Sequence, residues 1–446
     1  MKKRSTANRL LQPQVLRVMF RALRSRNYRL FFLGQQVSLV GTWLAQVAMS
    51  WLVYRLTGSK LLLGVVAFAG QIPGFILAPL AGVLVDRWEL RRTLVATQAL
   101  AMLQAFALAV LTLTGVVNVA HVLVLSIFLG LINAVDMPAR QAFVVQMIER
   151  REDLSNAIAL NSSMVNAARV LGPTVAGVLI ALVGEGPCFL INGASYLAVI
   201  AALLAMRMRP VMKPPAKHVL HELADGFNYM RGSVPIKSIL LLMALVSLVG
   251  IPYMVLMPVF AQDILAGGPT TLGFLTAAAG GGALVGGLLL ASRRSVLGLD
   301  RWLVAAAAAF GSALIVFSFS RHLWLSLAVL PLAGFSMIVQ LAASNTLLQT
   351  IVEDNKRGRV MAFFTMAFQG MMPLGSLAAG TLAETPLGAP GTVALGGLCC
   401  IISSLLFSRK LPAIRRQLHP IYVRQGILPE IAEGLAATTG KNGLKP

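Results

Sequence analysis

The sequence predicts an all-α integral membrane protein with twelve transmembrane helices in two six-helix pseudo-repeats and with both termini in the cytoplasm. Of its 446 residues, 57% are hydrophobic and only 12% are charged, whereas about 25% of the residues of a soluble protein are charged. A helix needs roughly 20 apolar residues to cross a hydrocarbon core about 30 Å thick. Charged or Gly/Pro-rich breaks divide the chain into twelve such segments, near residues 30–54, 61–85, 93–115, 119–140, 157–183, 187–206, 236–262, 270–291, 302–320, 323–346, 360–383 and 391–408.

The basic residues predict how these segments are oriented. With both termini in the cytoplasm, the outer side holds only Arg55, Lys60 and Arg321. The cytoplasmic connections then hold Arg87, Arg91, Arg92, Arg140, Arg150, Arg151, Arg293, Arg294, Arg301, Lys356, Arg357 and Arg359. Lysine and arginine are enriched in cytoplasmic loops, so the net charge of +22 is a topology signal. A nucleic-acid-binding protein would instead need a basic face on a soluble domain, and the sequence contains no such domain.

The chain is predicted to divide into five regions. A basic cytoplasmic segment (1–27) precedes the first six helices (28–207), a polar cytoplasmic loop (208–235) leads to the last six (236–409), and a cytoplasmic tail follows (410–446). When the chain is shifted by 203 positions against itself, Gly172 aligns with Gly375 and Gly177 with Gly380. A parallel repeat of two six-helix halves is a recurrent architecture of membrane proteins.

The sequence also excludes several classes of site. Its three cysteines, Cys188, Cys399 and Cys400, lie in apolar segments and show neither a disulfide framework nor a metal-binding spacing. We therefore predict no metal and no cofactor. A P-loop, which would bind ATP, an HExxH motif and a nucleophile elbow are all missing from the sequence, and so we predict that the protein is not an enzyme. Residues 1–27 lack the short apolar core of a cleavable signal peptide.

The most informative motif lies between the second and third segments and contains Gly82, Asp86, Arg87, Arg91 and Arg92. Charge at this position is tolerated if it is paired or lies at the water boundary. The stretch resembles motif A of the major facilitator superfamily, although Glu89 stands where the family has glycine. In that family the motif locks the cytoplasmic side of a transporter. The resemblance therefore implies that these residues form part of a cytoplasmic gate.

The fifth segment carries a second candidate gating element, formed by Gly172, Pro173 and Gly177. Small residues let helices approach closely, and proline bends a helix. The stretch resembles motif C, which lies on the fifth helix of exporters in the superfamily, and the resemblance implies that the bend at Pro173 suppresses leak. Ordinary helix packing is the alternative interpretation, because Gly-Pro pairs also occur in the helices of uniporters.

Asp136 and Arg169 are the candidate coupling residues. Asp136 lies at the end of the fourth segment, and Arg169 is the basic residue that we place well within a span. Ionisable groups inside the membrane usually mark function. Arg169 needs an anion, which Asp136, Asp86 or a substrate could supply. The competing interpretation makes both residues static parts of the cytoplasmic gate, with Asp136 paired to Arg140.

Uncharged polar side chains within the segments are candidates for lining a solute cavity. They are Gln35, Gln36, Gln46, Asn133, Asn161, Asn166, Gln340, Asn345 and Gln369. An amide in a membrane helix can instead form a hydrogen bond with a neighbouring helix, and both interpretations stay open at this stage.

A larger set of motifs narrows the family resemblance. Thr57-Gly-Ser, Pro138-Ala-Arg140, Asn156-Ala-Ile-Ala-Leu-Asn161 and Lys356-Arg-Gly-Arg359 accompany the two gating motifs. As a set they resemble the bacterial exporter branch that includes the enterobactin exporter, the transmembrane secretion effector family, over roughly residues 27–409. The resemblance implies efflux of a siderophore or drug-like molecule across the bacterial inner membrane, driven by proton entry. The expected partners are a small-molecule substrate, protons and membrane lipids, and we expect a monomer.

Two other functions compete with export. A lysophospholipid flippase of the same superfamily is the nearest alternative, and a channel or a non-transporting membrane scaffold comes after it. Motif A and two intact halves favour alternating access over a static pore.

Overall fold

The computed structural model describes residues 21–207, 228–293 and 295–424. Within these ranges it describes all side chains except those of residues 78–80, 82–84, 86–87, 151, 155 and 354–355. The described residues form helices and short connections, and no β-strand occurs among them.

Twelve of the helices in the described ranges are long and apolar enough to cross a membrane. This confirms the predicted all-α membrane fold with twelve transmembrane helices, whereas the cytoplasmic location of the termini stays a prediction. They are α1 (Arg26–Thr57), α2 (Lys60–Arg87), α3 (Leu90–Leu113), α4 (Val119–Met147), α5 (Leu154–Val183), α6 (Gly186–Ala205), α7 (Val234–Ile264), α8 (Pro269–Ala291), α9 (Leu299–Phe319), α10 (Leu323–Ile351), α11 (Lys356–Glu384) and α12 (Gly388–Arg424). Few charged or helix-breaking residues separate α5 from α6 in the sequence. In the structure α5 ends at the cap residue Gly184, where a positive φ of 82° favours glycine.

The helix α12 continues beyond the apolar segment that predicts it. The segment ends near residue 408, whereas the helix runs to Arg424. Ile414, Leu418 and Tyr422 recur at four-residue spacing and are buried in the main hydrophobic cluster, so this stretch is amphipathic and packs on the bundle. Arg415 donates a hydrogen bond to the carboxylate of Asp300, which opens α9. Residues 410–424 therefore belong to the helical bundle, although the sequence assigns them to a tail.

The two sets of six helices pack internally in the same way. In the first six, α2 packs on α4, and α3 packs on α4 and α6; in the last six, α8 packs on α10, and α9 packs on α10 and α12. Gly172 of α5 packs against Trp43 of α1, and its repeat equivalent Gly375 of α11 packs against Leu248 and Pro252 of α7. The internal similarity that the glycine alignment indicates is therefore present in the packing.

The two sets meet along two helix pairs, α2 with α11 and α5 with α8. A Cβ atom built on Gly64 would lie 2.5 Å from the carbonyl oxygen of Ser376, and one on Gly273 would lie 2.8 Å from the Cα of Gly177. Both distances are shorter than a real Cβ atom allows. Glycine therefore permits direct backbone contact between the two sets. We call the end of the bundle where these contacts lie, and where α1 ends and α2 begins, the sealed end.

Two helices depart from regular α geometry. In α7, a wide π-helical turn (Val246–Gly250) is followed by a tight 3₁₀ turn (Ile251–Met254), and α11 contains a π-helical turn at Met366–Gly370. Pro252 has no N–H group to donate to the helical ladder, and π-helical turns often occur at functional sites. Both helices contribute to the cavity described below.

The Gly64 contact generates a stability prediction. Gly64→Leu should lower stability by more than about 2 kcal/mol, because a side chain cannot enter a backbone-to-backbone crossing without separating α2 from α11. Thermal unfolding of the purified protein in one detergent measures the change in Tm. Gly74→Leu on the same helix is the matched control, since no heavy atom lies within 4 Å of a Cβ built there. Equal Tm values for the two variants would contradict this packing.

Candidate functional site

A cavity of about 380 Å³ lies between the first six and the last six helices. The helices α1, α2, α3, α4 and α6 contribute one side of it, and α7, α8 and α11 contribute the other. Volumes of about 300–1,000 Å³ are typical of small-molecule sites. The cavity is therefore large enough for a small organic solute.

The described residues that line the cavity include polar groups but no Asp, Glu, Lys, Arg or His. The amide side chains are Gln46, Gln71, Gln104, Asn133 and Asn192, and the hydroxyl-bearing ones are Thr42, Ser50, Ser126, Tyr196, Thr276 and Ser376. Amides and hydroxyls both donate and accept hydrogen bonds. The wall can thus satisfy a polar solute without supplying a charge.

Much of the remaining wall is apolar and adaptable. Met49, Met254, Met257 and Met372 line the cavity, together with the ring of Trp43. Methionine is unbranched and polarisable, and it is common at surfaces that bind varied partners. This lining suits an amphipathic solute whose shape is not tightly prescribed.

Two of the nine predicted cavity residues, Gln46 and Asn133, lie on the wall. The other seven do not line it, and they are Gln35, Gln36, Asn161, Asn166, Gln340, Asn345 and Gln369. Two of these, Asn166 and Asn345, take part in hydrogen bonds within their own helix and not in bonds to a neighbouring helix. The amide of Asn166 donates to the carbonyl of Ser162 at 2.9 Å, and Gln349 donates to Asn345 at 3.0 Å.

The sequence analysis missed Gln71, Gln104, Asn192 and Tyr196, which all reach the cavity. Gln71 and Gln104 each stand alone among apolar neighbours, and one polar residue defines no helix face. Asn192 and Tyr196 lie four residues apart in one segment, and this helical spacing is a signal that could have been followed. The depth and rotation of each helix decide which polar residues meet at the centre.

Asp136 lies in a buried polar cluster of the first six helices and is 2% exposed. Thr97 and Gln98 of α3 donate to its carboxylate at 2.7 and 2.8 Å. Arg140, one turn later on α4, donates to the same carboxylate from Nε at 3.1 Å. Tyr196, which lines the cavity, lies within electrostatic range of both Asp136 and Arg140. The carboxylate is thus held by three partners close to the cavity.

The structure does not bring Asp136 and Arg169 together. Arg169 lies midway along α5, and its guanidinium carbon is 5.6 Å from the centre of the Trp43 ring. Its Nε and Nη1 atoms are buried and have no hydrogen-bond partner. The contacts of Asp136 correspond to the competing interpretation, in which Arg140 is its partner.

The predicted gating residues lie at different parts of the bundle. Gly172 and Gly177 make the close helix contacts described above, with Pro173 between them on α5. Gly82, Asp86 and Arg87 belong to the end of α2, and their side chains lie outside the described residues.

The remaining two residues of the first gating motif have contacts within the first six helices. Arg91 donates to the carbonyl of Leu204 in α6 at 2.7 Å. The exposed Arg92 pairs with Glu89 at 3.1 Å. Glu89, the departure from the family pattern, therefore supplies an acidic partner within the motif.

Comparison with known proteins decides the family. Residues 18–440 match the family described as transmembrane secretion effector. The chain belongs to this family of major facilitator transporters. It is a multi-pass membrane transporter, and it is not an enzyme.

Two relatives and one solved structure illustrate the similarity. The chain is 24% identical to the staphyloferrin A transporter of Staphylococcus aureus over 385 residues, which cover 85% of this chain and 96% of that protein. It is 28% identical to the multidrug efflux pump Tap of Mycolicibacterium fortuitum over 357 residues, which cover 77% and 86%. The fold matches an inward-facing bacterial homologue of the lysosomal transporter Spinster, with a TM-score of 0.67, 15% identity and coverage of 89% and 98%.

The Asp136 cluster generates a prediction about stability. Asp136→Asn should lower stability by about 3 kcal/mol, because it leaves the partly buried guanidinium of Arg140 without its carboxylate. Glu185→Gln is the matched control: it breaks the Arg55–Glu185 pair, in which the arginine is half-exposed, and it should cost about 1 kcal/mol or less. Tm values of both purified variants check the difference. A smaller loss for Asp136→Asn than for Glu185→Gln would show that Asp136 is not held as described.

Proposed function

We propose that this transporter exports a small amphipathic molecule from the cytoplasm by alternating access. The uncharged, methionine-rich cavity between the two sets of helices is the observation that supports this proposal. The names of the relatives agree with it, since one is a transporter of the siderophore staphyloferrin A and another is a multidrug efflux pump. A siderophore or a drug-like solute is therefore the proposed cargo.

The sealed end is proposed to face the periplasm. Basic residues concentrate at the opposite end of the bundle, where Arg91, Arg92, Arg150, Arg293 and Arg301 lie, and such residues favour the cytoplasmic side. This assignment makes the structure a form that is closed to the periplasm. A solute would then enter from the cytoplasm and leave after the sealed end separates.

Two polar contacts supplement the glycine crossings at the sealed end. The hydroxyl of Tyr54, at the end of α1, donates to the carboxylate of Asp263 in α7. The carboxylate of Glu384, at the end of α11, accepts from the backbone N–H groups of Lys60 at 3.0 Å and Leu61 at 3.3 Å. An acid at a helix N-terminus stabilises the unpaired N–H groups there. Each contact joins the first six helices to the last six.

These contacts are suited to a reversible closure. Asp263 and Glu384 are exposed, whereas Tyr54 is buried. An exposed ionic contact contributes about 0–1 kcal/mol, and a hydrogen bond to a charged group contributes about 1.5–3 kcal/mol. A transporter must exchange its two forms readily, so a weak polar closure over a close-packed crossing fits the proposed cycle.

Proton antiport is proposed as the driving force. A coupling group must bind a proton on one side of the membrane and release it on the other, and burial raises a carboxyl pKa whereas a nearby cation lowers it. Asp136 is buried beside Arg140 and close to the cavity-lining Tyr196. It is therefore the proposed proton-binding group, and a static gate is the alternative that the experiment must separate.

Everted membrane vesicles test the proposed function. Energised vesicles containing the protein should accumulate a fluorescent amphipathic solute, and an ionophore that collapses the pH gradient should abolish this accumulation. Asp136→Asn should bind and exchange the solute without concentrating it. Full pH-driven accumulation by this variant would remove Asp136 from coupling. Movement of lysophospholipid, with no accumulation of soluble amphipaths, would favour the flippase alternative.

The polar closure generates a prediction about access. The double variant Tyr54→Phe/Glu384→Ala, which removes one donor and one acceptor, should increase labelling of a cysteine placed at Ser50, a cavity residue, by an impermeant maleimide added from the periplasmic side. The increase should be about severalfold, because the variant loses both contacts between the sets. The background protein for this experiment carries the cysteine at Ser50 and has serine or alanine in place of the three native cysteines.

Glu185→Gln is the matched control for this experiment. It removes an ion pair at the same end, but the pair joins α1 to the start of α6 within the first six helices. Labelling should therefore stay at the level of the background protein. Equal labelling of all three proteins would indicate that the two contacts do not hold the end closed.

A further inference from the structure

We propose that Arg169 binds an anionic group of the transported solute, which makes the solute class an amphipathic anion such as a carboxylate. This proposal rests on the proposed function and names its substrate class. The observation behind it is the guanidinium of Arg169, which lies beside the cavity with two buried nitrogen atoms and no hydrogen-bond partner for either.

The position of Arg169 allows contact with a solute. Its guanidinium lies against the ring of Trp43, a residue that lines the cavity. Where α5 crosses α8, a Cβ built on Gly280 would lie 2.7 Å from the carbonyl oxygen of Arg169. Thr276, one turn before Gly280 on α8, lines the cavity. Arg169 therefore lies next to the cavity, where the two sets of helices meet.

Three described acids in or next to the first six helices have other partners. Asp136 pairs with Arg140, Glu185 with Arg55, and Asp153 with Arg21. Among these, Asp136 is the acid of the buried cluster, and its oxygens accept from three side chains. Arg169 shows no ion pair with any of them.

Asp86 is too distant along the helix axis to serve as the partner. It lies at the end of α2, next to the terminal residue Arg87, whereas Arg169 is at the middle of α5. Because α5 begins at the end of the bundle where α2 finishes, a rise of 1.5 Å per residue places Arg169 roughly 20 Å deeper. An arginine side chain does not span that distance.

The contact with Trp43 does not compensate fully for this burial. Arg169 is partly exposed as a residue, but its Nε and Nη1 atoms are buried. A cation over an indole ring contributes about 0.5–2 kcal/mol, whereas a buried donor of a charged group that has no acceptor costs about 1–3 kcal/mol or more. A guanidinium can donate two parallel hydrogen bonds to a carboxylate, which gives both strength and orientation. A carboxylate on the solute would supply the missing acceptor.

The cavity supplies the rest of the recognition. None of its described lining residues is charged, so Arg169 would be the single charged contact of a solute whose apolar body lies against Met254, Met257 and Met372. A neutral amphipath would fit the same space but would leave the guanidinium unpaired. The expected solute therefore combines an apolar body with one anionic group.

Equilibrium binding to the purified full-length protein tests this proposal. The probes are pyrenebutanoate and its methyl ester, which share the apolar body and differ in charge. The quantity compared between variants is the ratio of the ester Kd to the carboxylate Kd, which we call the carboxylate preference. A ratio is compared because the ester partitions more strongly into detergent than the carboxylate does. Arg169→Gln should reduce the preference for the carboxylate about tenfold to a hundredfold, the worth of a charge-assisted hydrogen bond, and should leave the ester Kd within about twofold of wild type.

Arg293→Gln is the matched control. Arg293 also stacks on a tryptophan, with its guanidinium carbon 5.1 Å from the centre of the Trp302 ring, but it is only partly buried, donates to the carbonyl of Leu297 at 2.8 Å, and does not line the cavity. This variant should keep the wild-type preference. Retention of that preference by Arg169→Gln, or failure of the wild-type protein to bind the carboxylate, would overturn the proposal.

A second variant decides the question if Arg169→Gln does not yield monodisperse protein. Arg169→Lys keeps the charge but loses the planar fork, so its carboxylate preference should fall severalfold. An unchanged preference would show that Arg169 does not contact the anion. Binding is measured without a membrane, so it can succeed even if everted vesicles show no export, and the two proposals fail independently.

Discussion

Direct backbone contact between the first six and the last six helices is the constraint on which the rest of this structure depends. At Gly64 with Gly380 and at Gly177 with Gly273, two helices approach so closely that no side chain fits between them. In a membrane, helices associate through such packing and not through the hydrophobic effect. These crossings fix the sealed end, and they leave the cavity where the helices diverge. The polar contacts of Tyr54 and Glu384 act on a geometry that the glycines already provide.

The two charged residues Asp136 and Arg169 lie inside the bundle in different electrostatic environments. Asp136 is saturated by Thr97, Gln98 and Arg140, and a satisfied buried cluster is rigid and specific. Arg169 is in the opposite condition, since two of its nitrogen atoms have no acceptor. A low dielectric strengthens a paired charge and penalises an unpaired one. The first environment suits a fixed structural or proton-binding element, and the second suits a contact that a solute completes.

The helices α7 and α11 are irregular next to the cavity, and these irregular turns are where we propose that the helices bend during transport. Their π-helical and 3₁₀ turns interrupt the regular hydrogen-bond ladder next to the cavity wall at Ile251, Pro252 and Met372. Helical irregularity at membrane depth is tolerated where it is buried or lines a cavity. In the proposed cycle, these turns are the places where the last six helices can bend while the glycine crossings separate.

The sequence by itself determined the number of helices, their approximate bounds and the family, because hydrophobic segment length and the motifs around Asp86, Pro173 and Arg359 are local properties of the chain. It also identified Asp136 and Arg169 as exceptional, since a charge within an apolar segment is visible without a structure. Arg140 lies one turn from Asp136 on the same helix, so the sequence already offered that pair as an alternative. Only the tertiary structure decided between the alternatives, because Thr97 and Gln98 reach Asp136, and Trp43 reaches Arg169, from other helices. Of the nine polar residues predicted to line the cavity, Gln46 and Asn133 do so, and the sequence did not separate them from the other seven or select Gln71, Gln104 and Asn192. The periodicity of one helix defines its faces, but the face that meets the cavity depends on the other helices of the bundle.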